Sequence, residues 1–186
     1  MWSELLPGPM AKPRDGGGLD QATLERLFVK LEKPMFNVVY RWLWNASDAE
    51  EVTQEAFLRV WRARDGVDLA TVEPLLYRTA LNLASNRRRS ARLWRFIGFE
   101  AAGDPPSRAK VSDEVLAEEE TRACVRRAID ALPEHLRRVI VLSEYAELTQ
   151  PEVGAALGIP TGTVGSRRHA ALEMLAASLC DLEEAK

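Results

Sequence analysis

An all-α chain of two small helical units joined by a flexible linker is what the sequence predicts, and three observations predict it. Apolar residues recur at three- and four-residue steps from Asp20 onward, and no stretch alternates with the period of a strand. Capping signals and well-placed prolines punctuate that periodicity. A Gly/Pro stretch at which charge changes sign then divides the chain. The predicted organisation is a flexible tail over 1–18, a helical unit over 19–97, a linker over 98–111 and a second helical unit over 112–186.

The tail holds three successive glycines and several prolines, but no basic segment followed by an apolar run, so it does not read as a signal peptide. Leu24, Leu27, Phe28 and Leu31 open the first helical pattern, and Met35, Val38, Val39 and Trp42 continue it. Pro34 lies between the two runs and predicts a break or kink near Lys33. Ser47 and Glu50 have the spacing of a capping box, and Asp48, Glu50 and Glu51 place negative charge on the first turn, where the helix dipole favours it. Val52, Ala56, Phe57, Val60 and Trp61 form the apolar stripe of that helix. Arg62 to Thr71, with Asp65-Gly66, reads as a loop. Pro74 suits the start of the next helix, with Leu75, Leu76, Thr79, Ala80 and Leu83 expected inside.

That helix ends in a basic run. From Leu76 to Ile97 there are six arginines and no acid, whereas from Gly98 to Glu120 there are seven acids and only Arg108 and Lys110. Gly103-Asp104-Pro105-Pro106-Ser107 has linker composition. Beyond it, Ser112 is a candidate cap for a helix carrying Val115, Leu116, Val125, Ile129 and Leu132. Pro133 opens another, with Leu136, Val139 and Ile140 inward. Thr149 and Glu152 form a second capping-box spacing, Gly158 ends that short helix and Thr161 is placed to cap the last. Two helices joined through a glycine turn, the second bearing Arg167, Arg168 and His169, outline a helix-turn-helix.

Composition narrows the function classes. The chain has 186 residues, 46% of them hydrophobic and 28% charged, with a net charge of −3, which fits a globular protein of one or two small domains. No stretch approaches the roughly 20 apolar residues that span a bilayer, and a cytoplasmic location without membrane insertion is expected. Cys124, Cys180, His135 and His169 are isolated, so neither a metal site nor a cofactor is expected. Phosphate-binding glycine loops and the nucleophile and zinc-protease motifs are missing, leaving no catalytic signature. The arginines bind phosphates electrostatically if they face nucleic acid, and otherwise form a solvated face or pair with the acids after Gly98.

The order of these features is more specific than any one of them. Asp48-Ala49-Glu50-Glu51-Val52-Thr53-Gln54-Glu55-Ala56-Phe57-Leu58-Arg59-Val60-Trp61 closely resembles region 2.2 of sigma-70 family transcription initiation factors. Leu75 to Arg89 looks like regions 2.3 and 2.4, and Leu132 to Arg167 is similar to region 4. The short chain, without recognisable regions 1.1 and 3, points to the extracytoplasmic-function (ECF) group.

The resemblance implies a division of labour. Asp48, Glu51, Gln54 and Glu55 would contact the β′ coiled coil of core RNA polymerase, with Phe57 and Trp61 kept for the core of the unit. Tyr77, Arg78, Asn82, Asn86, Arg87, Arg88 and Arg89 would melt and hold the −10 promoter element. Thr163, Ser166, Arg167 and His169 would read the −35 element, region 4 would also meet the β flap, and an anti-sigma factor would hold the protein inactive. Departures cluster in the recognition helix: Gly165, Ala170 and Leu172 replace usual cations, and Arg168 falls where an apolar residue is usual. From Pro133 to Leu175, Arg137, Arg138, Arg167 and Arg168 face five glutamates, a net of −1 that suits autonomous DNA binding poorly. The rival readings are an autonomous helix-turn-helix regulator and a sigma-like interaction module with a degenerate region 4.

Overall fold

A computed structural model describes residues 19–96 and 113–183. The described residues form seven α-helices and no strand: α1 (Gln21–Leu43), α2 (Ala46–Arg62), α3 (Val72–Phe96), α4 (Asp113–Ala131), α5 (Glu134–Tyr145), α6 (Gln150–Leu157) and α7 (Thr161–Glu183). A single 3-10 turn, Arg64–Gly66, occupies the predicted loop between α2 and α3. The predicted tail, the linker and the Ser112 cap lie outside the described residues.

The break expected in α1 is absent. The helix runs unbroken through Pro34. A proline inside a helix costs about 3 kcal/mol through its lost N–H and its clash with the preceding turn. Leu27, Leu31, Met35, Val38, Val39 and Trp42, buried on both sides of Pro34, supply the packing that offsets it. Asp20 caps the helix by accepting from the Thr23 N–H at 2.8 Å. At the far end Trp44 adopts the left-handed conformation (φ 57°), and its N–H donates to the Tyr40 carbonyl.

The cap of helix α2 lies two residues before the expected one. Asn45, rather than Ser47, accepts from the Asp48 N–H at 2.9 Å. Ala49, Val52, Ala56, Phe57 and Val60 are buried as a stripe, and Thr53 joins them by donating its hydroxyl to the Ala49 carbonyl. Trp61 is only half-buried, with the Arg64 guanidinium 4.6 Å over its ring.

Helix α3 presents a wider inner face than its periodicity suggests. Leu76, Tyr77, Ala80, Leu81 and Ala84 are fully buried, whereas Leu75, Thr79 and Leu83 are half-buried. The reason is tertiary: one side of α3 packs on α1 and α2, and another receives α6.

Local rules govern the C-terminal helices more closely. Pro133 is the N-cap of α5, and its carbonyl accepts from the Arg137 N–H. Glu152 accepts from both the N–H and the hydroxyl of Thr149, fixing the start of α6. Gly158 ends α6 in the left-handed conformation (φ 68°). Thr161 is the first residue of α7 rather than its cap, because the Pro160 carbonyl accepts the first helical bond, from Val164. Gly154 is required by close approach: a Cβ there would sit 2.8 Å from the Ile159 carbonyl oxygen, across the tight α6–α7 turn.

The two helical units share a core. Val139, Val141, Leu142, Ala146, Val153, Ala156 and Val164 belong to the same buried cluster as the interior of α1–α3, while Leu132, Leu136, Ile140 and Ala171 form a separate small one. Packing of α5 on α1 and of α6 on α3 joins the units into one body.

Candidate functional site

The acidic face of α2 is held by an arginine of α3. Arg87 lies 2.7 Å from Asp48 Oδ1 and donates to Glu51 Oε2 at 2.8 Å. That hydrogen bond and the nearby positive charge hold the Glu51 carboxyl below its usual range. One turn on, Arg59 donates to Glu55 at 2.7 Å, with Arg62 at 3.8 Å. Glu51, Gln54, Glu55, Leu58, Arg59 and Arg87 line a shallow groove. Beside it runs an apolar groove of about 460 Å³ between α1 and α2, walled by Leu24, Phe28, Val29, Phe57, Leu58 and Trp61. Leu58 is 48% and Val29 81% exposed, so this face carries an apolar strip next to its carboxylates. Asp48, Glu51, Gln54 and Glu55 therefore lie together on one face. The apolar groove was not predicted; its only sequence signal is Val29 and Leu58, apolar residues just off the main stripes.

The residues expected on the promoter-facing side of α3 point in several directions, as a 100° step per residue requires. Tyr77 is a correction: it is 1% exposed and belongs to the core, where burial raises its pKa. Arg78 is turned toward the C-terminal unit, donating to the Ala155 and Ala156 carbonyls at 2.7 and 2.9 Å at the end of α6. Asn82 is exposed and accepts from Arg138 of α5. Arg88 lies 3.3 Å from Asp130 of α4. Arg87 serves the carboxylates of α2. Asn86 and Arg89 face solvent.

Helix α7 displays Ser166 and His169 to solvent, with Thr163 and Arg167 half-buried. The Ser166 hydroxyl donates to the Thr163 carbonyl within the helix, and His169 Nε2 is 3.3 Å from Glu173. The unusual Arg168 is not wasted on solvent: its Nε and Nη2 lie 2.9 and 2.8 Å from Glu144 on α5, anchoring the helix. A side chain at Gly165 has room, since a Cβ would meet only the Gln150 side chain, at 3.6 Å.

Three polar groups missed by sequence reasoning gather where the units meet. Arg137 is 1% exposed, and its Nη2 donates to the carbonyls of Arg41 and Trp42 at the end of α1, at 3.0 and 2.8 Å. Its guanidinium stacks 4.6 Å over the Trp42 ring, and Nη1 lies 2.7 Å from Asp130 Oδ1. Trp44 Nε1 donates to the same carboxylate at 3.2 Å. No group of three or more potential metal ligands occurs among the described residues, and none of their helices is long and apolar enough to cross a membrane.

A helical bundle with an acidic, apolar-edged face, an adjoining arginine helix and a helix-turn-helix defines a class of nucleic-acid-associated initiation factor. Comparison with known proteins makes the class definite. The Sigma-70 region 2 family model matches residues 27–93, and Sigma-70, region 4 matches residues 122–175. The chain is 35% identical over 157 residues to the ECF RNA polymerase sigma factor SigW of Bacillus subtilis, covering 80% of this chain and 84% of that one. It is 32% identical over 165 residues to the ECF RNA polymerase sigma-E factor of Escherichia coli K12, covering 84% and 86%. The fold is shared with CnrH, solved with the cytosolic domain of CnrY, at a TM-score of 0.63 and 23% identity over 87% of this chain and 90% of that one. It is also shared with the sigma factor RpoE of Bartonella quintana, solved with the anti-sigma factor NepR, at a TM-score of 0.61 and 17% identity over 86% and 98%. The chain belongs to the sigma-70 family, in its ECF group. It is an alternative sigma factor, binding core RNA polymerase and directing transcription initiation.

Proposed function

We propose that the α2 face performs the polymerase contact, α3 the opening of the −10 element and α7 the reading of the −35 element, with no catalysis by the chain itself. The observation that carries the reading is the joint display of Glu51, Gln54 and Glu55 beside the exposed Leu58. Carboxylates flanked by an apolar strip suit a basic helical partner such as the β′ coiled coil, combining steering with apolar burial. Asp48 and Arg87 act as positioning residues: the guanidinium holds Glu51 ionised and fixes its rotamer, so Arg87 belongs with the polymerase surface.

On α3, Asn86 and Arg89 are exposed members of the predicted set outside the Arg138 and Asp130 contacts that hold Asn82 and Arg88, and they supply the first contacts to an opened strand. Arg78, Asn82 and Arg88 join them once freed from the C-terminal unit. On α7, Ser166, Arg167 and His169 with Thr163 carry a −35 contact that is sparse in cations, so polymerase supplies much of the affinity. A cytoplasmic location follows from that partnership. An anti-sigma factor is proposed as the regulator, in keeping with the RpoE–NepR complex.

The decisive experiment is capture of bacterial core RNA polymerase by the purified chain at moderate salt without DNA. Wild type is expected to bind with one-to-one stoichiometry. Glu51→Arg with Glu55→Arg should abolish capture while leaving helicity unchanged, and undiminished capture by that variant would refute the α2 assignment.

A further inference from the structure

We infer that Gln150, the first residue of α6, is a specificity-determining residue of the −35 contact: its carboxamide, laid over Gly165 of α7, pairs with the major-groove edge of an adenine. The inference rests on the α7 reading proposed above and deepens it, naming a base and a residue outside the recognition helix that reads it.

The carboxamide lies where a side chain of the recognition helix would begin. A Cβ on Gly165 would be 3.6 Å from Gln150 Oε1 and 4.0 Å from Gln150 Nε2. Both polar atoms therefore stand at the surface of α7 beside its fifth residue. Recognition helices meet base edges with their N-terminal residues, so this is the part of α7 that enters the groove. Gly162 lies on the same face three residues earlier, and a Cβ there would have nothing within 4 Å. The exposed His169 follows Gly165 by four residues on that face. Glycine at 165 leaves the amide its place.

The backbone that carries Gln150 is firmly set. The Thr149–Glu152 capping box fixes the first turn of α6, and Pro151 fixes φ at the next residue. Val153 and Ala156 of α6 and Val164 of α7 are fully buried in one cluster. The absence of a side chain at Gly154 lets the α6–α7 turn close, since a Cβ there would sit 2.8 Å from the Ile159 carbonyl oxygen. A reader on such a backbone orders little more than its own rotamers on binding.

Chemistry then singles out this residue. From Thr149 to Glu183, Gln150 is the only carboxamide. The polar groups of α7 already have neighbours: the Ser166 hydroxyl donates to the Thr163 carbonyl, Arg168 pairs with Glu144, and His169 lies 3.3 Å from Glu173. Arg167 lines a groove with Leu157 and Ile159. Gln150 is exposed, and its amide has no hydrogen bond among the described residues. A carboxamide offers a donor and an acceptor side by side. Adenine presents the complement: Nε2–H donates to N7, and the N6 amino group donates to Oε1. Guanine, whose N7 and O6 both accept, cannot form that pair. A phosphate, which only accepts, would use half of the amide.

The test uses holoenzyme assembled from the full chain and bacterial core RNA polymerase, with a fully randomised duplex library whose bound members are sequenced. Wild type is expected to enrich an upstream motif containing an adenine whose replacement weakens binding about tenfold. Gln150→Ala should lose the preference at that one position and keep the others. Gln150→Glu should prefer cytosine there, because a carboxylate accepts from the cytosine N4 amino group. An unchanged motif in Gln150→Ala overturns the inference, and so does a loss of affinity uniform across sequences, which is the mark of a phosphate contact. Failure of the α7 reading is distinguishable: the wild-type holoenzyme would then enrich no upstream motif at all, and both would fall.

Discussion

Two glycines in the helix-turn-helix should respond to the same substitution with opposite sign. Gly154 and Gly165 both sit within helices, where exchanging Gly for Ala gains about 0.5–1 kcal/mol from the lower entropy of the unfolded chain and better helix propensity. At Gly165 that gain is unopposed, because the added methyl makes an ordinary 3.6 Å contact with Gln150. At Gly154 the methyl lies 2.8 Å from the Ile159 carbonyl oxygen, and beyond it stand Thr161 N and Val164 Cγ2, each at 3.7 Å. A backbone atom cannot swing aside as a side chain does. Ile159 also donates its N–H to the Gly154 carbonyl, so the turn must shift as a whole. Overpacking of this kind costs about 1–3 kcal/mol, which leaves Gly154→Ala destabilised by about 1–2 kcal/mol. For a chain of this size each kcal/mol moves the midpoint by about 2–4 °C. Thermal unfolding followed by circular dichroism should therefore show Gly154→Ala melting about 2–8 °C lower and Gly165→Ala about 1–4 °C higher than wild type. A Gly154→Ala midpoint at or above wild type would refute the close-approach argument, and a lowered Gly165→Ala midpoint would refute the claim of open space.

Function at the same helix is tested by Gly165→Lys, which places a cation where α7 has room for one; duplex affinity should rise about uniformly across sequences and steepen in salt by about one unit of slope, read by fluorescence anisotropy. Asn86→Ala with Arg89→Ala, two exposed residues of α3, should reduce open-complex formation in a permanganate footprint and flatten its salt dependence, with core binding intact. The Glu152 carboxyl is held below its ordinary value of 4.5 by the Thr149 hydroxyl and then by the Thr149 N–H. A depressed folded pKa gives stability that is complete above the unfolded value and lost as pH falls through the folded one. Acid titration of the melting midpoint below about pH 4.5 should accordingly fall less steeply for Glu152→Gln than for wild type.

Features written in neighbouring residues were legible from the sequence. Thr149 with Glu152, Gly158, Pro133 and the acidic first turn of α2 each act over one helical turn, so spacing alone locates them. Asn45 won the α2 cap from Ser47 because both are competent caps two residues apart, and the geometry of the α1–α2 turn chooses between them. Pro34 misled because propensity is weak against a stripe of six buried side chains. Tyr77 misled for the complementary reason: α6 covers a side of α3 that periodicity leaves to solvent. The arginines were the hardest to place. Arg87, Arg88 and Arg89 are consecutive in sequence, yet one holds the acids of α2, one lies against Asp130 and one faces water. Nothing local distinguishes them, nor marks Arg137 for burial while Arg138 stays near the surface.

The pairing of Arg168 with Glu144 bears on how the proposed α7 contact with DNA responds to salt. A recognition helix that spends an arginine on its own scaffold keeps only Arg167 and His169 for phosphates. At one or two phosphate contacts, the logarithm of its affinity changes by only about −1 to −2 per decade of salt. With the contacts proposed above, a rise in salt would weaken the arginine-rich α3 contact far more than the α7 contact. Discrimination among promoters would then persist under conditions that slow opening, so the set of genes chosen would hold steady while the rate of initiation varies.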